Sequence, residues 1–220
     1  MTLPFTIAQF LEVFERYNQV IWPAQIIAYL AAFGLLALIA VRSPYAGRIG
    51  AVVLGAMWLV NGVGYHIGYF SEINGAAFAF GGLFVVQAAL IGWLGLVERR
   101  LEFTWRPDTA GWVAAVLIAY SMLVYPLLGL AFGHFYPRAP VFGAAPCPTT
   151  IFTLGVLLLA RPGAPAWLFA IPLAWSAVGG SAAFLLGVME DLGLIVAGVA
   201  AIALLSLGRN ARKGRLGVSP

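Results

Sequence analysis

The sequence predicts an all-α protein, a seven-transmembrane-helix bundle with its N-terminus outside and its C-terminus cytoplasmic. Three observations carry that expectation. Of 220 residues, 62% are hydrophobic and only 9% are charged, whereas a soluble domain carries about a quarter charged residues. The apolar residues fall in runs close to the roughly 20 needed to cross about 30 Å of hydrocarbon. Finally, Arg and Lys gather in alternate connections between those runs, the bias that sets orientation in membranes. The net charge of +4 lies mostly in short loops and the tail, so it reads as a topology signal, and no nucleic-acid partner is expected. A single cysteine excludes an internal disulfide.

Residues 1–23 read as an outer interfacial segment. Thr6 and Gln9 make a capping-box pattern, and Ile7, Phe10, Leu11, Phe14 and Tyr17 line one face of a helix. Such a helix is expected to lie flat in the outer headgroup layer. Glu12 and Glu15, with no basic leader, argue against a cleaved signal peptide.

Residues 24–208 form the membrane domain. Six runs, 24–41, 49–70, 76–97, 111–132, 166–188 and 192–207, are long enough or nearly so. A further run, 149–160, is too short to cross alone, and the cations decide its role. If it crosses, Arg42, Arg48, Arg99, Arg100, Arg106, Arg161, Arg209, Arg212, Lys213 and Arg215 share one side, and only Arg16 and Arg138 fall on the other. Residues 209–220 are then a basic cytoplasmic tail.

The short fifth span follows a Gly- and Pro-rich stretch, 133–148, GHFYPRAPVFGAAPCP. Non-helical backbone at membrane depth is tolerated only where protein or water covers it. This stretch is therefore expected to re-enter the bundle, with Pro148 in the first turn of the fifth helix and Thr149 and Thr150 capping it. The positive end of that helix, with Arg138 and His134 nearby, would suit an anion or another polar group.

Polar side chains are uneven in depth. Asn61, Gln87, Tyr120 and Ser121 fall near mid-membrane, and Tyr65, His66, Tyr125 and Ser181 fall in the outer leaflet. Unpartnered polar groups are costly in hydrocarbon, so these should face the bundle. They serve either as interhelical glue or as the wall of an outward-opening pocket. The candidate pocket comprises Asn61, Tyr65, His66, Gln87, Tyr120, Tyr125, His134, Arg138, Cys147, Thr149, Thr150 and Ser181.

No spacing matches a metal signature, and no cofactor is expected; a metal or haem site would have to use His66, His134 and Cys147. Glu190 and Asp191 read as caps of the last helix. Lys213 is the only lysine and lies outside every span, which excludes a retinal Schiff base.

The segments FERYNQVIWPAQ, GYHIGYFSEIN, FYPRAPVFGAAPCPTTIFTLG and VGGSAAFLLGVMEDLGL resemble an uncharacterised family of bacterial multi-pass membrane proteins, a domain of unknown function. The resemblance runs over nearly the whole chain. It implies a single integral domain in the bacterial inner membrane and carries over no activity or ligand. Three classes of function follow: a carrier, channel or ligand-binding protein with an extracytoplasmic pocket for a small polar or anionic molecule; an intramembrane metal- or haem-dependent enzyme or redox protein using His66, His134 and Cys147; or a structural subunit of a membrane complex. The first is the leading expectation, and no catalytic residue is named.

Overall fold

The structure, a computed structural model, describes residues 4–216, with side chains except those of Ala182 and residues 209–216. The basic side chains of the expected tail, and residues 217–220 altogether, lie outside the described residues. The helices are α1 (Ile7–Val20), α2 (Ala24–Ala40), α3 (Ala46–Glu72), α4 (Ala77–Val97), α5 (Thr109–Ala131), α6 (Pro146–Leu158), α7 (Ala166–Leu186) and α8 (Leu192–Leu216). Two short strands, β1 (Glu102–Phe103) and β2 (Ala160–Arg161), pair antiparallel.

Five helical stretches are long and apolar enough to cross a membrane: α3, α4, α5, α7 and Met189–Gly208. A sixth arises if α1 and α2, bent by 79°, count as one. The outward faces carry Leu30, Phe33, Val52, Phe78, Val116 and Val196, all more than 45% exposed. A band of that kind on nearly every helix suits lipid and would be an aggregation surface in water.

The axle of the bundle is α6. Every residue from Pro148 to Leu158 is buried, against α3, α5, α7 and α8. Thirteen residues reach only about 20 Å at 1.5 Å each, so both ends need other cover. At one end β1 and β2 pair, and the Thr104 N–H donates to the Leu159 carbonyl at 3.1 Å. At the other, residues 142–145 are buried, with the Phe142 ring 4.8 Å from Tyr29 and 5.1 Å from Phe152. Gly143 makes that turn at φ +75°, where a side chain would strike Ala28. Irregular backbone thus lies where protein covers it.

The two ends of the bundle differ in charge. At the β1–β2 pair, Arg161 of β2 bonds Asp108 at 3.0 Å and Arg106 lies 3.7 Å from the same carboxylate. The opposite end gathers Glu15, Glu72, Glu190 and Asp191, the first two paired with Arg138 and Arg16.

Helix α1 departs from expectation. Its capping box forms, with the Gln9 N–H on Thr6 Oγ1 at 3.2 Å and the Thr6 N–H on Gln9 Oε1 at 2.8 Å. Its apolar face, however, is turned onto the bundle: Phe10, Val13, Phe14 and Tyr17 are buried, and Phe14 stacks on Tyr65 at 4.8 Å. The end of α3 offers aromatic surface there, which removes the need for a headgroup layer to receive that face. Arg16 grips Glu72 through two hydrogen bonds, 2.6 and 3.1 Å, and the Arg138–Glu15 pair at 3.2 Å ties α1 to the 133–145 loop. Asn18 adds bonds to the Pro137 and Ala139 carbonyls.

Close packing depends on glycine at α3, where a Cβ on Gly47 would overlap the Leu101 carbonyl, while one on Gly34 meets nothing. Overpacking against backbone costs about 1–3 kcal/mol. Gly47→Ala should therefore lower the melting temperature in detergent by several degrees, and Gly34→Ala should leave it unchanged.

Candidate functional site

The last third of α3 is wound as a π-helix, Val60–Ile67, and α5 carries another at Tyr120–Val124. Such widened turns recur at functional sites because they redirect side chains inward. Here Tyr65 and His66, consecutive residues, are 2% and 0% exposed.

His66 sits among rings, its centroid 4.8 Å from Phe84, 5.0 Å from Trp175 and 5.1 Å from Tyr65. Neither Nδ1 nor Nε2 has a hydrogen-bond partner, and Trp175 Nε1 has only the Cys147 sulfur to bond. Edge-on contact with a ring is a weak substitute for an N–H partner and does nothing for the imidazole lone pair. Each orphaned polar atom costs about 1–3 kcal/mol. Both residues border a cavity of about 220 Å³. Phe10 and Phe14 of α1 cover it on one side, Tyr65, Phe70 and Phe80 form its wall, and Asn74, Cys147, Ser181 and Asp191 supply its remaining polar edge.

Beside this cavity lies an acidic knot. Glu190 and Asp191 occupy a 3-10 turn, Met189–Asp191, that opens α8, and they are 0% and 4% exposed. The Tyr125 hydroxyl donates to Asp191 Oδ1, and the Tyr120 hydroxyl donates to the Glu190 carbonyl at 2.7 Å. His134 Nδ1 lies 2.8 Å from Glu190 Oε1, while Glu190 Oε2 has no partner. The Cys147 thiol lies against the Asp191 carboxylate. A second cavity, about 210 Å³, reaches Glu190, His134 and Tyr125 from the other side. The expectation that the two carboxylates cap the last helix did not include this burial. The signal available was that both sit in an otherwise apolar stretch, where a carboxylate is rare and mostly inward-facing.

The predicted pocket residues divide. Tyr65, His66, Cys147 and Ser181 line the aromatic cavity, and Tyr125 and His134 line the second one. Asn61 instead stitches α3 to the loop, donating to the Met57 and Gly143 carbonyls at 2.7 and 3.2 Å. Gln87 donates to the Leu168 carbonyl at 3.0 Å. Thr150 bonds the Pro146 carbonyl within α6, and Thr149 lies 3.4 Å from Asn61 Nδ2. Arg138 is outside both cavities, half exposed and paired with Glu15.

The expected anion site at the start of α6 changes accordingly. The helix begins at Pro146, two residues early, and neither Thr149 nor Thr150 caps it. Prolines occupy the first and third positions, so Cys147 alone offers an N–H there. Asp191 gives the wall of the cavity an acidic edge. His66 and Cys147 share the aromatic cavity, and His134 lies apart on the second one. Among the described residues no three of His, Cys, Asp and Glu stand close enough to share a metal ion.

The model of a family of unknown function (DUF6064) matches residues 7–215. The chain belongs to that family. No curated protein and no solved structure matches it. The match covers every cavity-lining residue from Phe10 on, and membership brings no activity with it.

Cys147, the sole thiol, reports on the cover that α1 forms. A small thiol reagent should modify it readily and a bulky impermeant one slowly. Replacing Arg16 and Arg138 together by Ala, which frees α1 from both ion pairs, should speed the bulky reaction several-fold. Fast labelling of the unaltered protein by both reagents would show that α1 does not close the cavity.

Proposed function

We propose that this chain is a seven-span protein of the bacterial inner membrane that binds a small molecule in the aromatic cavity, as a carrier, channel or binding protein. In this reading α2 and the short α6 both cross. The Arg-rich β1–β2 end faces the cytoplasm, and the acidic end with the cavity faces outward, in line with the cytoplasmic preference of Arg and Lys. Helix α1 then sits at the outer surface with its apolar face on the bundle.

One observation carries the proposal: both ring nitrogens of His66 border a cavity and have no protein partner. Folding does not favour leaving such atoms unpaired, and exceptions concentrate where a ligand completes them. The wall favours an apolar body filling the aromatic box. The polar head must both accept from an N–H and donate to the imidazole lone pair. The carboxylate edge favours a neutral or cationic head over the anionic one expected from the helix start.

The test separates binding from folding. Replacing His66 by Leu removes two orphaned atoms, so the ligand-free protein should become more stable by about 1 kcal/mol or more. A thermal-shift screen of small neutral and cationic molecules in detergent should yield hits that stabilise the unaltered protein, slow Cys147 labelling and fail on His66→Leu. A His66→Leu protein that is markedly destabilised, with no hit on either form, would show instead that His66 is a structural residue.

A further inference from the structure

The acidic knot gives the cavity a second property. Glu190 and Asp191 are neighbours in sequence and both are buried. Facing them are Tyr120 and Tyr125 from α5, Cys147 from α6, Tyr65 from α3 and His134 from the loop. His134 makes the one described ion pair to either carboxylate. Two carboxylates against one imidazole leave an uncompensated charge away from water, a costly state that a retained proton relieves.

Asp191 borders the aromatic cavity and Glu190 borders the second cavity, so the pair forms the partition between the two. The fully buried, unpartnered His66 in the same aromatic cavity marks it, independently of the acids, as a place for a ligand. Aromatic walls with a carboxylate at one edge suit an ammonium head, which the ring faces attract and the carboxylate pairs.

We propose that the aromatic cavity takes up an organic cation in exchange for a proton held by the Glu190–Asp191 pair. This rests on the ligand-pocket reading above. In the exchange a carboxyl O–H bond breaks, the carboxylate so formed pairs with the ammonium, and the proton leaves by the Glu190–His134 side into the second cavity. One positive charge enters and one departs, so the buried charge is unchanged.

Choline is a suitable probe, its ammonium for the carboxylate and its hydroxyl to donate to and accept from the imidazole, with 3,3-dimethylbutan-1-ol as its neutral isostere. The full chain in lipid nanodiscs is titrated with each by calorimetry in two buffers of different ionisation enthalpy, which counts protons. The expected result is choline binding with about one proton released, tightening toward tenfold per pH unit while the proton is held. Asp191→Asn should bind choline at least tenfold more weakly and release no proton. The proton count on the unaltered protein decides the matter even if that variant fails to fold. Choline binding without proton release overturns the exchange, as does binding of the alcohol alone, and both leave the pocket standing. Binding of neither overturns the exchange and counts against the pocket as well.

Discussion

A polar atom held away from water must find a partner, because lipid and packed side chains offer none, and this requirement organises the whole chain. It explains why a helix of only thirteen residues lies at the centre of the bundle. Both its ends are surrounded by chain that satisfies exposed backbone groups, the β1–β2 pair on one side and the buried turn at 142–145 on the other. It explains why Asn61, Gln87 and Thr153 reach for backbone carbonyls or, as Thr153 does for the Trp58 indole, accept a neighbour's N–H at 2.9 Å. The same requirement makes the exceptions informative. Asn61 Oδ1 and Gln87 Oε1 also go unpaired, but the two nitrogens of His66 go unpaired beside a cavity, where there is room for something else.

The two halves of the site are built by different means. Backbone geometry sets the aromatic half: the π-helical stretch of α3 turns Tyr65 and His66 inward together, and α1 folds back to complete the enclosure. Charge burial sets the acidic half, where Glu190 and Asp191 are held by groups from α5, α6 and the loop, His134 among them. Asp191 belongs to both halves, so a molecule entering the aromatic cavity meets the acidic knot at its edge.

Much of this was legible in the sequence, and the misses have physical reasons. Apolar run length located the helices within a few residues, as with 49–70 inside α3 and 111–132 against α5. Composition and periodicity depend only on local chain, and these helices are apolar enough to announce themselves. The start of α6 moved from 148–149 to Pro146 because the first turn of a helix needs no N–H partner, so two prolines there begin a helix and do not bar it. Periodicity identified the apolar face of α1 but not its partner; Tyr65 and Phe70 lie some fifty residues away, and no local pattern names them. The π-helical windings left no mark in the sequence either. Yet they decide that His66 faces a cavity while Asn61, in the same winding, holds the loop.

The central claim is that the space beside His66 belongs to a ligand. A cryo-EM map of the protein in lipid nanodiscs, at a resolution that separates rings, tests it most directly. The account predicts non-protein density between His66, Trp175 and Asp191, under a closed α1 and within hydrogen-bonding reach of the imidazole. A map in which those rings collapse onto one another, with both imidazole nitrogens bonded to protein groups, would contradict it.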